Sequence, residues 1–134
     1  MTITDSHQHL WDLARFKYSW CTSIPSQNSS FLPENYRQAN AGTNISSSVF
    51  VEADVDETFM KDELHWISGL AQNPSNHIRA IIAVVRPEKD NFEEYLLQLS
   101  EFPLVRGVRR VLHPVAEMGA HHTLKFLPTS ASSG

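Results

Sequence analysis

Two histidines one residue apart, His7 and His9, are the side chains of this sequence whose type and spacing point most directly to chemistry. They follow the short run MTIT at residues 1–4, which predicts the start of a strand. Side chains two apart on a strand project from the same face, so both imidazoles would aim at one point. That arrangement suits a divalent metal or a polar substrate. Asp5 lies on the same face and is predicted to orient one of the rings.

The sequence leaves a second interpretation of this pair open. The chain has seven histidines in 134 residues, so a His-x-His pattern also arises by chance among ordinary surface or packing histidines. The context favours a site, because residues 5–12 read DSHQHLWD, with an acid before the pair and Leu-Trp-Asp after it. We therefore interpret His7 and His9 as metal ligands or substrate contacts.

The string DSHQHLWD resembles the first-strand signature of the amidohydrolase superfamily, and more narrowly its amidohydrolase-related branch, which includes sugar-lactone lactonases. Two further segments carry the resemblance, VFVEA at residues 49–53 and RGVRR at residues 106–110. The resemblance extends over residues 3–112. It implies the first half of a TIM-barrel-like α/β fold, a hydrolase that opens a small polar or anionic lactone, and a divalent metal, most often zinc.

The order of predicted elements agrees with that fold class. After the first strand, strands are predicted at residues 48–53, 78–85 and 105–112 from runs of β-forming residues. Helices are predicted at residues 33–41, 56–72 and 88–101 from apolar spacing and proline boundaries. This alternation predicts βαβ units and a parallel sheet.

The number of strands limits how much of a barrel the chain can form. A complete (β/α)₈ barrel typically takes about 250 residues, and four strands are predicted here. We therefore expect a partial barrel over residues 1–112. Residues 113–134 show no clear period and end in PTSASSG, so we expect an irregular, flexible tail.

The interval between the first two strands is long and aromatic. It contains five residues with large or reactive side chains: Trp11, Tyr18, Trp20, Cys21 and Phe31. Such a loop after the first strand suits a segment that covers a substrate. The alternative is that these aromatic residues pack the loop onto the body of the protein.

Glu52 is predicted to join the two histidines. It ends the second strand, and active sites in this architecture gather at the carboxyl ends of strands. A carboxylate beside two imidazoles fits a hydrolytic metal site, so Glu52 is predicted both as a catalytic residue and as a metal ligand with His7 and His9. Its alternative role is a solvated acid at a strand end.

Arg109 corresponds to the arginine of the family's Gly-Val-Arg pattern. Its guanidinium is predicted to bind a substrate carboxylate or to polarise a lactone carbonyl, which makes it both catalytic and substrate-binding. Arg86, just after the third strand, is a second candidate for substrate binding, and Trp11 is a third. Surface charge is the simpler interpretation of Arg106 and Arg110.

Composition excludes several functions. The formal net charge of −4 offers no basic stripe for nucleic acid. One cysteine allows no internal disulfide framework. No apolar run approaches the roughly 20 residues that cross a bilayer, and no leader precedes residue 5. The expected protein is cytoplasmic and acts on a small lactone-like molecule.

Three functions remain open at this stage. The first is a lactonase-type hydrolase, the second a decarboxylase of the same superfamily, and the third an inactive truncated form that acts only by association with another chain. The superfamily's later strands supply further ligands and a water-activating aspartate, which His113, His121 and His122 are not expected to replace. We therefore expect negligible hydrolase activity from this chain alone.

The fourth strand would have an unpaired edge in such a half-barrel. The arginines of the same strand would be the only charged side chains beside its apolar residues, which favours self-association through this edge. The apolar positions concerned are Val105, Val108, Val111 and Leu112.

Overall fold

A computed structural model describes residues 1–112, in which one parallel sheet is flanked by helices. The strands are β1 (Ile3–Gln8), β2 (Ile45–Val51), β3 (Ile78–Val84) and β4 (Val105–Arg109). The helices are α1 (Pro33–Ala39), α2 (Met60–Gln72) and α3 (Phe92–Leu99). The strands lie side by side in chain order and all neighbours are parallel. The predicted α/β class with four parallel strands is therefore confirmed, whereas the predicted tail at residues 113–134 lies outside the described residues.

The centre of the sheet is apolar because β3 has neighbours on both sides and helices above it. Ile78, Ile81, Ala83 and Val84 of this strand are buried, as expected for a parallel strand that is covered on its faces. Helix α2 adds Ile67, which is fully buried in the same core. Within residues 1–112 no helix is both long and apolar enough to cross a membrane.

Helices α2 and α3 begin later than their sequence patterns predict, whereas α1 begins at Pro33 as predicted. A short 3₁₀ turn at Glu57–Phe59 precedes α2. Asp56 was available to cap it, but its carboxylate accepts hydrogen bonds from the backbone N–H and the hydroxyl of Ser19, at 2.9 and 2.7 Å. Before α3, Glu88 binds the guanidinium of Arg110 at 2.6 Å. Both acids therefore tie loops together instead of starting a helix.

The long segment between β1 and β2 both packs against the body and forms part of its surface. Trp11 and Phe31 pair through two antiparallel backbone hydrogen bonds of 3.0 and 2.9 Å, and their rings stack. Tyr18 and Cys21 are buried in the main core. The burial of Tyr18 and Cys21 fixes the middle of the segment, and the pairing of Trp11 with Phe31 joins its two ends. Together these contacts hold the aromatic residues over the carboxyl edge of the sheet.

Candidate active site

Glu52 is the central residue of the candidate site. It directly follows β2 and its side chain is only 1% exposed, so it is not the solvated acid that the sequence left open. Oε1 accepts a hydrogen bond from Nε of Arg109 at 2.6 Å, and Oε2 accepts one from the backbone N–H of Asp54 at 2.7 Å. The backbone carbonyl of Glu52 accepts a further hydrogen bond from Nη2 of Arg109 at 2.7 Å.

The sheet register brings Arg109 to this carboxylate. Arg109 pairs with Val84 at the end of β3, and Val51 pairs with Ile82. The carboxyl ends of β2, β3 and β4 therefore meet at one edge, and the arginine reaches past β3 to Glu52. A charged group this deeply buried needs an ion pair and hydrogen bonds to offset its desolvation, and Glu52 has both.

Asp54 contributes to the same arrangement through its backbone. Its φ angle is 55°, in the left-handed region that few residues other than glycine adopt, although aspartate tolerates it better than most. This turn points the Asp54 N–H back at Glu52. Such a conformation persists only where its surroundings hold it, and here the Glu52 carboxylate does so.

The two histidines meet beside this edge, as their spacing predicts. Nε2 of His7 lies 3.0 Å from Nε2 of His9, and the rings are edge to face. Nδ1 of His9 is 2.8 Å from the carbonyl oxygen of Val51. Because a carbonyl only accepts, this nitrogen carries a proton, and the lone pair of the neutral ring is left on Nε2.

The protonation of His9 follows from its surroundings. Burial lowers the pKa of this imidazole, and the positive charges of His7 and Arg109 lower it further, whereas the Val51 carbonyl and Asp5 act in the opposite direction. His9 is therefore neutral at neutral pH. A neutral imidazole whose second nitrogen donates to a backbone carbonyl has the form of a typical metal-ligating histidine.

The fit to a metal is limited to the two imidazoles. Among residues 1–112 no three His, Cys, Asp or Glu side chains are grouped to hold a metal ion. The predicted set of His7, His9 and Glu52 is not formed, because the Glu52 carboxylate is occupied by Arg109 and Asp54. Asp5 also differs from its predicted role, since it accepts hydrogen bonds from the His7 backbone N–H and the Tyr36 hydroxyl rather than from an imidazole.

A cleft of about 370 Å³ opens beside these residues. His9, Arg109 and Trp11 all line it. Trp20 packs edge to face on Trp11, and its Nε1 donates a hydrogen bond of 2.6 Å to the carbonyl of Ala53. The cleft therefore combines an aromatic wall with one guanidinium and one neutral imidazole.

One predicted residue lies in a different cleft, and several residues that line this cleft were not predicted. Arg86 does not line this cleft, because its Nη2 donates to the carbonyl of Val55 at 3.2 Å and its side chain lies in a separate cleft. Arg110 is not a surface charge either, since it pairs with Glu88. The lining residues that were not predicted as site residues are Trp20, Ile24, Gln27, Ala53, Asp54 and Val111. The two after Glu52 could have been found by following the second strand into its loop.

A second buried carboxyl holds the aromatic segment to helix α2. The hydroxyl of Tyr18 donates to Oε2 of Glu63 at 2.6 Å, and both side chains are buried. Burial raises the pKa of Glu63 to about 8, and the nearby charges of Glu52 and Asp54 raise it further, whereas the hydrogen bond from Tyr18 lowers it. Glu63 is therefore mostly protonated at neutral pH.

Comparison with solved structures shows a related fold. The chain is similar to amidohydrolase 2 from Bifidobacterium longum subsp. infantis, with a TM-score of 0.56 and 24% sequence identity. The similarity covers 85% of this chain and 41% of that one. No protein-family model and no curated protein matches the chain. At this identity the likeness shows the fold, an α/β arrangement of four parallel strands found within an amidohydrolase, and not the activity.

The ion pair of Glu52 is predicted to be a major source of stability. Arg109→Gln leaves a buried carboxylate without its counter-charge, and removing one partner of a buried pair typically costs about 3–5 kcal/mol. Because Arg109 is 32% exposed, we expect the lower end, a loss of about 3 kcal/mol in the free energy of unfolding measured with urea. Arg106→Gln, at an exposed position of the same strand, is the control and should change it by less than about 0.5 kcal/mol. Equal effects of the two variants would contradict the role of the pair.

The raised pKa of Glu63 predicts how stability depends on pH. The pKa of the Glu63 carboxyl is 4.5 for an ordinary glutamate, as in the unfolded chain, and about 8 in the folded chain. The folded state therefore holds this proton more tightly than the unfolded state. The stability linked to it is fully present below pH 4.5 and is lost as the pH rises through about 8. Glu63→Gln keeps an acceptor for Tyr18 without the charge, so its melting temperature should fall less than that of the wild type between pH 5 and pH 9.

Exposed Glu93 on α3 provides the matched control. Glu93→Gln should leave the wild-type pH profile unchanged. A profile of Glu63→Gln that runs parallel to the wild type would show that the Glu63 proton is not linked to folding.

Proposed function

We propose that the cleft bounded by His9, Trp11 and Arg109 belongs to the active site of an amidohydrolase-type hydrolase that opens small lactones. The observation that carries the proposal is that two imidazoles meet at the carboxyl edge of a parallel sheet, beside a cleft that the Arg109 guanidinium lines. Active sites of barrel-type α/β enzymes lie at this edge. The fold likeness to an amidohydrolase supports the same class.

Arg109 is the residue proposed to recognise the substrate. Its Nε and Nη2 groups bind Glu52, whereas Nη1 forms no hydrogen bond within residues 1–112. The Glu52 contacts fix the guanidinium plane, so Nη1 can donate to a lactone carbonyl or to the carboxylate that ring opening produces. The indole rings of Trp11 and Trp20 would pack on the apolar face of the lactone ring.

His7 and His9 are the residues proposed to hold a divalent metal, with zinc as the expected ion. Bound there, zinc would supply Lewis-acid polarisation of the carbonyl and a water of lowered pKa. The protein's own contribution is to keep His9 neutral, with its proton on Nδ1 and its lone pair on Nε2, through the Val51 carbonyl and burial. In the overall reaction the water oxygen joins the carbonyl carbon, the ring C–O bond breaks, and a proton passes to the leaving alkoxide.

The proposal is tested by ligand binding, because the chain spans 41% of the length of the similar amidohydrolase. D-Glucono-1,5-lactone and its open hydroxy acid would be titrated with zinc present, and binding would be followed by tryptophan fluorescence, to which Trp11 and Trp20 contribute from the cleft. Ile24 lies on the cleft at 40% exposure, so Ile24→Glu should preserve the fold. It should weaken hydroxy-acid binding by roughly two- to fivefold through charge repulsion at an exposed site.

The matched control for this test is Leu97→Glu, at a position 74% exposed on α3. It should leave binding unchanged. Failure of both ligands to bind the wild type, or equal weakening by the two variants, would contradict a lactone site in this cleft.

A further inference from the structure

A second cleft lies on the helix side of the β2–α2 loop. It has a volume of about 280 Å³ and is lined by Arg86, Lys61 and Lys89, together with Glu57 and Asp62. Glu57 is already paired with Lys89 at 3.1 Å. Basic side chains therefore outnumber acidic ones, and one of the two acids is neutralised.

Two helices start at this cleft. The first turn of α2 and the residues at the start of α3, Asn91 and Phe92, contribute to its lining. Neither helix has a side-chain cap at its N-terminus. The N–H groups of Met60 and Phe92 already donate to the carbonyl oxygens of Glu57 and Lys89, so the helices contribute the positive ends of their dipoles, which favour a bound anion.

Two buried polar atoms at this cleft also have no partner within residues 1–112. They are Nε of Arg86 and the hydroxyl oxygen of Tyr95, and both residues line the cleft. Tyr95 is only 8% exposed. Buried donors are nearly always hydrogen-bonded in folded proteins, so a guanidinium N–H and a phenol O–H left without acceptors point to a ligand that supplies them.

The phenol of Tyr95 acts as a donor at neutral pH. Burial raises its pKa to about 12, the charges of Glu63 and Glu52 add to that rise, and Arg86 opposes it. Both Tyr95 and Arg86 line this cleft. Because Nε of Arg86 and the hydroxyl of Tyr95 both lack a partner in this cleft, the missing ligand is one with several acceptor oxygens, which is the chemistry of an oxyanion.

We propose that this cleft is a binding site for a tetrahedral oxyanion, namely phosphate or the phosphoryl group of a phosphomonoester. Arg86 and Tyr95 would donate the buried hydrogen bonds, and the starts of α2 and α3 would add their dipoles. The β2–α2 loop separates this site from the lactone cleft, since Ala53 and Asp54 line one and Glu57 lines the other. The proposal does not depend on the lactonase activity.

The test is a calorimetric titration of the full chain with inorganic phosphate, glycerol 1-phosphate and acetate, each against chloride at equal ionic strength. We expect saturable binding of the two phosphates and none of acetate. Tighter binding of glycerol phosphate would identify a phosphomonoester as the ligand, and tighter binding of inorganic phosphate the free ion.

Two variants separate this site from nonspecific charge. Tyr95→Phe removes only the hydroxyl and should weaken phosphate binding roughly two- to tenfold, whereas Arg86→Gln should weaken it by about tenfold or more. Arg79→Gln, at an exposed arginine of β3, should have no effect. Tyr95→Phe should be at least as stable as the wild type without phosphate, because it removes an unsatisfied buried group.

Two results would overturn the proposal. The first is the absence of phosphate binding above the chloride control. The second is binding that Tyr95→Phe and Arg86→Gln leave unchanged. A loss of stability in Tyr95→Phe without any phosphate binding would mean that water, and not an anion, satisfies the hydroxyl.

Discussion

The buried carboxylate of Glu52 is the constraint on which the carboxyl edge of this sheet depends. At 1% exposure it cannot remain charged without partners. Arg109 provides the main partner, from a residue 57 positions later in the chain. The pair joins the ends of β2 and β4 across β3, so it fixes the two strand ends relative to each other. It also holds the guanidinium that lines the cleft of His9 and Trp11.

The rest of the site is arranged around this pair. The Asp54 N–H donates the second hydrogen bond to the Glu52 carboxylate, and Asp54 adopts a left-handed backbone conformation to do so. On the other side of the strand end, the Val51 carbonyl fixes the tautomer of His9. Trp20 in turn binds the Ala53 carbonyl and brings the aromatic segment over the cleft. Residues 51–54 thus connect the imidazoles, the guanidinium and the aromatic wall.

Much of this arrangement could be predicted from the sequence, because it depends on the alternation of side chains along a strand and on which residues end each strand. The period of two on a strand predicts that His7 and His9 converge, and the strand-end rule places Glu52 and Arg109 at one edge. What Glu52 binds could not be predicted, because an imidazole-bound metal and a guanidinium are equally reasonable partners until the register is known. Arg86 shows the same limit. It follows β3, and the sequence alone did not determine on which side of the β2–α2 loop its side chain lies.

The direct test of this account is a double-mutant cycle on the pair, measured as free energies of unfolding of Glu52→Gln, Arg109→Gln and the combined variant. If the two side chains hold the edge together, removing both should cost less than the sum of the single losses, with a coupling of about 2–3 kcal/mol. Losses that add within about 0.5 kcal/mol would show two independent residues and would contradict the account.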